Sequence, residues 1–219
     1  MTRTKLIDPR RRVLVAVAVA VAVAAAAGLL ATTACSRLAD TVPTTSGNPS
    51  HSPVAMRLDK PKKLLGSWNE SVDRRLRKPA IKDTDGFRKL LKGEPTSAVG
   101  TAYTPVEEQY SRELGVHRPG DNRVILVNGV SGTVTAPNAT LSHVFAARPA
   151  ITDVVPVPPG PLGGVAGCGS SQSKDGLTKF CTWVDDHTIG MVTFIGFPQS
   201  HDQHDLFRQI RAEFEHRAP

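Results

Sequence analysis

Residues 177–184 read Leu-Thr-Lys-Phe-Cys-Thr-Trp-Val, and the expected architecture is built around this octet. In an extended chain successive side chains point to opposite faces. Phe180, Thr182 and Val184 then project one way, and Cys181, Trp183 and Asp185 the other. Large apolar side chains on both faces call for cover on both, so the octet is expected as a central strand. On either side of it, 162–169 and 189–197 read as further strands. Asp175-Gly176 is a turn signal before the octet, and Asp185-Asp186-His187 links it to the third strand. Strands that follow one another across such short links pair antiparallel.

The remainder of the folded part mixes strands and helices. Residues 63–72 are expected as a short strand around Leu64, Leu65 and Trp68. Residues 83–92 read as a short helix, capped by Asp83 or Thr84, with Phe87, Leu90 and Leu91 at helical spacing and Gly93 after it. A strand is expected over 97–103, a helical turn over 106–114, and a strong strand over 123–128 that 132–135 continues after a bend. Residues 137–148 form a helix with Pro137 in its first turn. Residues 151–157 are extended and lead into a Pro/Gly loop. The chain closes with an amphipathic helix over about 201–216. Ser200 is its expected N-cap, and Gln203 follows three residues on, as in a capping box. Leu206, Phe207, Ile210 and Phe214 make its apolar stripe, with Asp202 and Asp205 near the positive end of the macrodipole and Arg211 and Arg217 near the negative end. The fold class that follows is α+β: a largely antiparallel sheet with helices packed on it and a C-terminal amphipathic helix.

The first quarter of the 219 residues has another character. Arg10, Arg11 and Arg12 precede residues 13–34, which carry no charge. As a helix this segment would be about 33 Å long, enough to span a hydrocarbon core of about 30 Å. Basic residues stay on the cytoplasmic side, so the rest of the chain is expected outside. Three outcomes are open: a retained signal anchor, a lipoprotein signal with Cys35 as the acylated N-terminus, and cleavage after Ala34. Residues 36–57, rich in Ser, Thr and Pro, cannot bury enough apolar surface to fold and read as a flexible stalk. The expected organisation is therefore 1–35 signal anchor or lipoprotein signal, 36–57 stalk, and 58–219 extracytoplasmic domain. The membrane is an expected partner through residues 13–34.

Charge is unevenly spread. The formal net charge is +7. Residues 57–92 alone carry twelve Lys and Arg against five acids, whereas 93–219 carry nine against thirteen. The basic part lacks interleaved aromatics, which disfavours nucleic acid as a partner. It directly follows the stalk, so Arg74, Arg75, Arg77 and Lys78 are candidates for contact with an anionic lipid, a wall polymer or another envelope protein.

Cys168 and Cys181 are a plausible pair in an exported chain, and a disulfide closing so short a loop stabilises by about 3 kcal/mol in the chain-entropy view. The stretch Cys168-Gly-Ser, Phe180-Cys181-Thr182-Trp183-Val184-Asp185 and Thr188-Ile189-Gly190-Met191-Val192 resembles the C-terminal part of exported, membrane-anchored proteins of actinobacteria, whose domains end in C…C-x-W-x-D-x-x-T-x-G and a helix. That resemblance implies fold and location. It transfers no functional residue, because the group has no assigned activity.

Leads for chemistry are weak. His201, His204 and Asp205 would share one side of the last helix, and imidazole with carboxylate suits Zn²⁺. A metal-assisted hydrolase that adds Asp185 or Asp186 is the alternative to a non-enzymatic envelope module. A capped, solvated helix start explains the same residues. Asp185, Asp186 and His187 offer acid and base groups, yet a link between strands uses Asp for its turn. Ser170 and Ser171 lack a nucleophile motif, and the glycine-rich 160–169 lacks the lysine of a phosphate loop. No cofactor is expected.

Overall fold

The computed structural model describes residues 55–174, 176–198 and 202–218. Segment 13–34, Cys35, Ser200 and His201 therefore lie outside the described residues. In chain order the elements are β1 (Met56–Leu58), β2 (Lys63–Leu64), β3 (Trp68–Glu70), α1 (Arg74–Arg88), β4 (Lys92–Thr104), β5 (Gln109–Ser111), β6 (Gly115–His117) and β7 (Val124–Thr133). There follow α2 (Pro137–Ala146), β8 (Thr152–Pro156), β9 (Val165–Ser173), β10 (Gly176–Val184), β11 (Thr188–Ile195), α3 (Gln203–Phe214) and β12 (Glu215–Arg217).

Eight strands form one sheet in the order β2-β3-β4-β7-β11-β10-β9-β8, and every neighbouring pair is antiparallel. The domain is α+β, as its strand patterning requires. The octet 177–184 lies in β10, an interior strand, and both its faces are covered. Phe180 and Val184 join Met191, Val130, Val144 and Phe87 beneath α1 and α2. Cys181 and Trp183 join Val192 and Phe194 beneath α3, which contributes Phe207, Ile210 and Phe214. Cys168 stands directly opposite Cys181 in the β9–β10 register, and the two form a buried disulfide.

Several local expectations are corrected. The helix expected over 83–92 begins nine residues earlier, at Arg74. The Asp73 side chain accepts from the Arg75 N–H and caps it, and Pro79 lies inside. Proline removes one internal hydrogen bond, but the helix is held by tertiary contact: Ala80, Thr84 and Phe87 are buried on it. The approach is close, since a Cβ on Gly100 of β4 would sit 2.8 Å from the Ile81 Cα. The strand expected over 63–72 is two short strands, β2 and β3, because Leu65 and Gly66 take positive φ and turn the chain. The expected helical turn over 106–114 is the β5–β6 hairpin. The last helix is capped by Asp202, whose carboxylate accepts from the His204 N–H at 2.8 Å.

Met56 and Arg57, read as the end of the stalk, belong to β1, which pairs with β12. Both edges of the large sheet are blunt. β2 has two residues; β8 carries Pro156, a register break between Thr152 and Val155, and Asp153 at φ 53°. Such edges resist pairing with further strands.

Candidate functional site

The residues of the W-x-D-x-x-T-x-G stretch meet around one buried cation. Arg211 of α3 is 1% exposed. Its Nε donates to Glu215 at 2.7 Å and its Nη2 to Asp185 at 2.6 Å. Its Nη1 donates to the carbonyls of Pro159 and Gly163 at 3.0 and 2.7 Å. The guanidinium lies 5.7 Å from the centre of the Trp183 ring. Asp185 also accepts from the backbone N–H groups of His187 and Thr188 and from the Thr188 hydroxyl, each at 2.7 Å. That hydroxyl in turn accepts from the Trp183 indole N–H at 3.1 Å. The chain Trp183–Thr188–Asp185–Arg211–Glu215 thus fastens the β10–β11 turn, the Pro/Gly loop, α3 and β12 to one another. Its donors and acceptors are used internally, which is the pattern of a structural lock.

Glu215 is the buried and electrostatically costly member of this lock. Burial pushes its carboxyl up to about 7 from the ordinary 4.5, and the Arg211 hydrogen bond only partly opposes this. One guanidinium faces two carboxylates, and the Asp185 carboxylate beside Glu215 raises it further. The folded state therefore binds a proton that the unfolded chain has released, and stability falls as pH rises from about 4.5 to about 7, by up to about 3 kcal/mol. Below about pH 4 the trend reverses: Arg75 holds Asp73, and Arg123 holds Asp121, below the usual carboxylate range, and protonating them removes stability. Urea titrations at a series of pH values should therefore give a maximum near pH 4–5, and Glu215→Gln should flatten the fall above it. A wild-type curve that rises steadily to neutral pH would contradict the assignment.

Of the His/Asp cluster expected on α3, only His204 and Asp205 are described, and each has a neighbouring charge. The His204 Nδ1 faces Asp202 at 3.3 Å, Asp205 pairs with Arg208, and His201 lies outside the described residues. Asp186 is exposed, and Asp185 belongs to the lock. Among the described residues no group of three or more His, Cys, Asp or Glu side chains is placed to hold a metal ion. Ser170 lines a cleft of about 360 Å³ with Val155, Leu177, Lys179, Phe194 and His204. Asp153 and Gln203 line it too, and among the described residues no hydrogen bond or ion pair joins the Ser170, Asp153 and His204 side chains to one another.

The basic candidates divide in two. The Arg75 guanidinium is bound to Asp73 at 2.9 Å, and Arg77 is half-buried with Nη2 on the Val72 carbonyl. Arg74 and Lys78 are exposed with no ion-pair partner among the described residues, and Lys82, one turn further on, matches them. Sequence reasoning missed Lys82 because the expected helix began after it. Once the helix starts at Arg74, residues 74, 78 and 82 fall on one stripe. Among the described residues no helix is long and apolar enough to cross a membrane.

Comparison of the chain with known protein families, with curated proteins and with solved structures finds no match.

Proposed function

We propose that this chain is a membrane-tethered, extracytoplasmic module without catalytic activity, and that the exposed face of α1 holds it against an anionic surface of the cell envelope. The observation that carries the reading is the row Arg74, Lys78 and Lys82, three cations spaced one turn apart that have no ion-pair partner among the described residues. Like charges four residues apart weaken an isolated helix by a few tenths of a kcal/mol each. Here the buried side of α1 offsets that cost, and an anionic surface would turn it into a gain of about 1 kcal/mol per cation. The sum, about 3 kcal/mol, is on the order of a hundredfold in affinity. The uncharged segment 13–34 behind three arginines and the likeness to exported actinobacterial proteins support the location. The Cys168–Cys181 disulfide suits an oxidising exterior.

The test uses the full chain reconstituted in bilayers. Amine acylation of Lys78 and Lys82 is read by mass spectrometry in neutral bilayers, in bilayers with anionic lipid, and in neutral bilayers exposed to soluble polyphosphate. Protection of both lysines by at least one anionic surface, lost in high salt, is the expected result. Equal labelling under all conditions would end the proposal.

A further inference from the structure

The cation row identifies a charge and leaves open what bears the opposite one. Exposed apolar side chains narrow it. Seven large ones stand out among the described residues. Val154, Val155 and Leu162 are 37–48% exposed. The other four are more exposed: Val72 67%, Ile81 52%, Tyr110 77% and Leu114 67%. Ile81 is on α1, Val72 lies just before it, and Tyr110 and Leu114 belong to the β5–β6 hairpin and its turn.

The hairpin is fixed to the start of α1. Glu108, at its foot, accepts from the Ser71 hydroxyl at 2.7 Å and from the Val72 N–H at 2.7 Å. Arg118, at its other foot, lies 3.7 Å from Glu108, and the Arg75 Nη2 reaches the Val116 carbonyl at 3.4 Å. The hairpin with Tyr110 and Leu114 therefore stands beside the start of α1, where Val72 and Arg74 lie, and Lys78, Ile81 and Lys82 follow along the helix. Scattered surface apolar residues are ordinary, whereas a cluster edged by cations marks an interaction site.

We infer that the partner of this end is a lipid bilayer with anionic headgroups, into which the tip of the β5–β6 hairpin inserts Tyr110 and Leu114 while Arg74, Lys78 and Lys82 rest on the headgroups. The inference builds on the proposed anionic-surface reading and names the surface. A soluble polyanion offers charge but no apolar phase, so Tyr110 and Leu114 gain nothing from it. A bilayer offers both, and tyrosine is at home at the headgroup boundary. Arg112 at the turn adds a cation. Glu113 beside it opposes, so Glu113→Gln deepens insertion.

Chain length permits the contact. β1 enters beside Gly132 and Thr133, at the far end of β7 from the hairpin, and a ten-residue strand covers about 34 Å. Twenty residues of any chain span at most about 70 Å, about twice the length of β7.

Tyr110→Trp tests this in the full chain. Both native tryptophans are buried, Trp68 at 8% and Trp183 at 0% exposure, so contact quenching by brominated lipid reports the new indole. In bilayers of anionic brominated lipid the quenching should exceed that of the unsubstituted chain by at least about threefold. It should fall to the unsubstituted level in zwitterionic brominated bilayers, and with Arg74→Ala, Lys78→Ala and Lys82→Ala combined. Leu114→Ser should reduce it and Glu113→Gln increase it. Protection of Lys78 and Lys82 by anionic lipid or polyphosphate without quenching at position 110 would overturn insertion and leave the anionic-surface reading standing. Absence of both protection and quenching would overturn both.

Discussion

Arg211→Met is expected to destabilise the domain by about 3–5 kcal/mol at pH 7, the usual cost of breaking a buried ion pair from one side. Methionine fills much of the arginine's volume, so the loss would not be one of packing. It leaves the Asp185 and Glu215 carboxylates without their cation and the Pro159 and Gly163 carbonyls without their donor. The cost should shrink at pH 5, where Glu215 carries its proton in the folded state. Arg211→Lys should recover part of the loss, because it restores charge but not the forked donor set that reaches four acceptor groups. Urea denaturation at the two pH values is the measurement. A loss below about 1 kcal/mol at pH 7 would mean that the buried network contributes little.

Gly190→Ala should cost at least about 3 kcal/mol, at the upper end of overpacking effects. A Cβ at position 190 would lie 2.1 Å from two atoms of the Trp183 ring and 2.6 Å from a third. The ring cannot move aside cheaply. Its N–H is bound to Thr188, Arg211 covers one side of it, and the Phe207 ring centre is 6.1 Å away. The clash should vanish when the ring does. In a double-mutant cycle, adding Gly190→Ala to Trp183→Leu should cost less than adding it to the wild type by about 1–3 kcal/mol. Additive effects would show that the indole yields more readily than its contacts imply.

These two predictions explain why the W-x-D-x-x-T-x-G stretch reads as a motif. Each residue type follows from one contact: glycine lies under the indole, threonine relays between indole and carboxylate, and aspartate closes the turn and holds Arg211. Strand alternation made β9, β10 and β11 and the two-sided burial of β10 legible in advance, because a period of two is a local property. The apolar stripe made α3 legible for the same reason. Arg211 was not legible in this sense. Its place near a helix C-terminus suggested a solvated charge complementing the dipole, and its partners at 159, 163 and 185 are far away in sequence. Pro79 hid the start of α1, since a breaker inside a helix is tolerated only when tertiary contact holds the helix. The β5–β6 hairpin was hidden by three-residue strands too short to show alternation. Of the anionic-surface candidates, the sequence supplied Arg74 and Lys78; only the true helix start brings Lys82 into line and ties Arg75 to Asp73.

The β1–β12 ribbon brings the two ends of the described domain together: Met56 stands opposite Arg217, and the Ala218 N–H donates to the Ala55 carbonyl at 2.7 Å. A few added residues would join them into a ring, which makes the domain a candidate for circular permutation. Reopening the ring between β9 and β10 would leave the cut bridged by the Cys168–Cys181 disulfide and would move the attachment point to the end that bears Tyr110 and Leu114. The point of attachment is then separable from the architecture, and under the proposed tether the orientation relative to a membrane becomes a variable that can be set by choosing where the ring is broken.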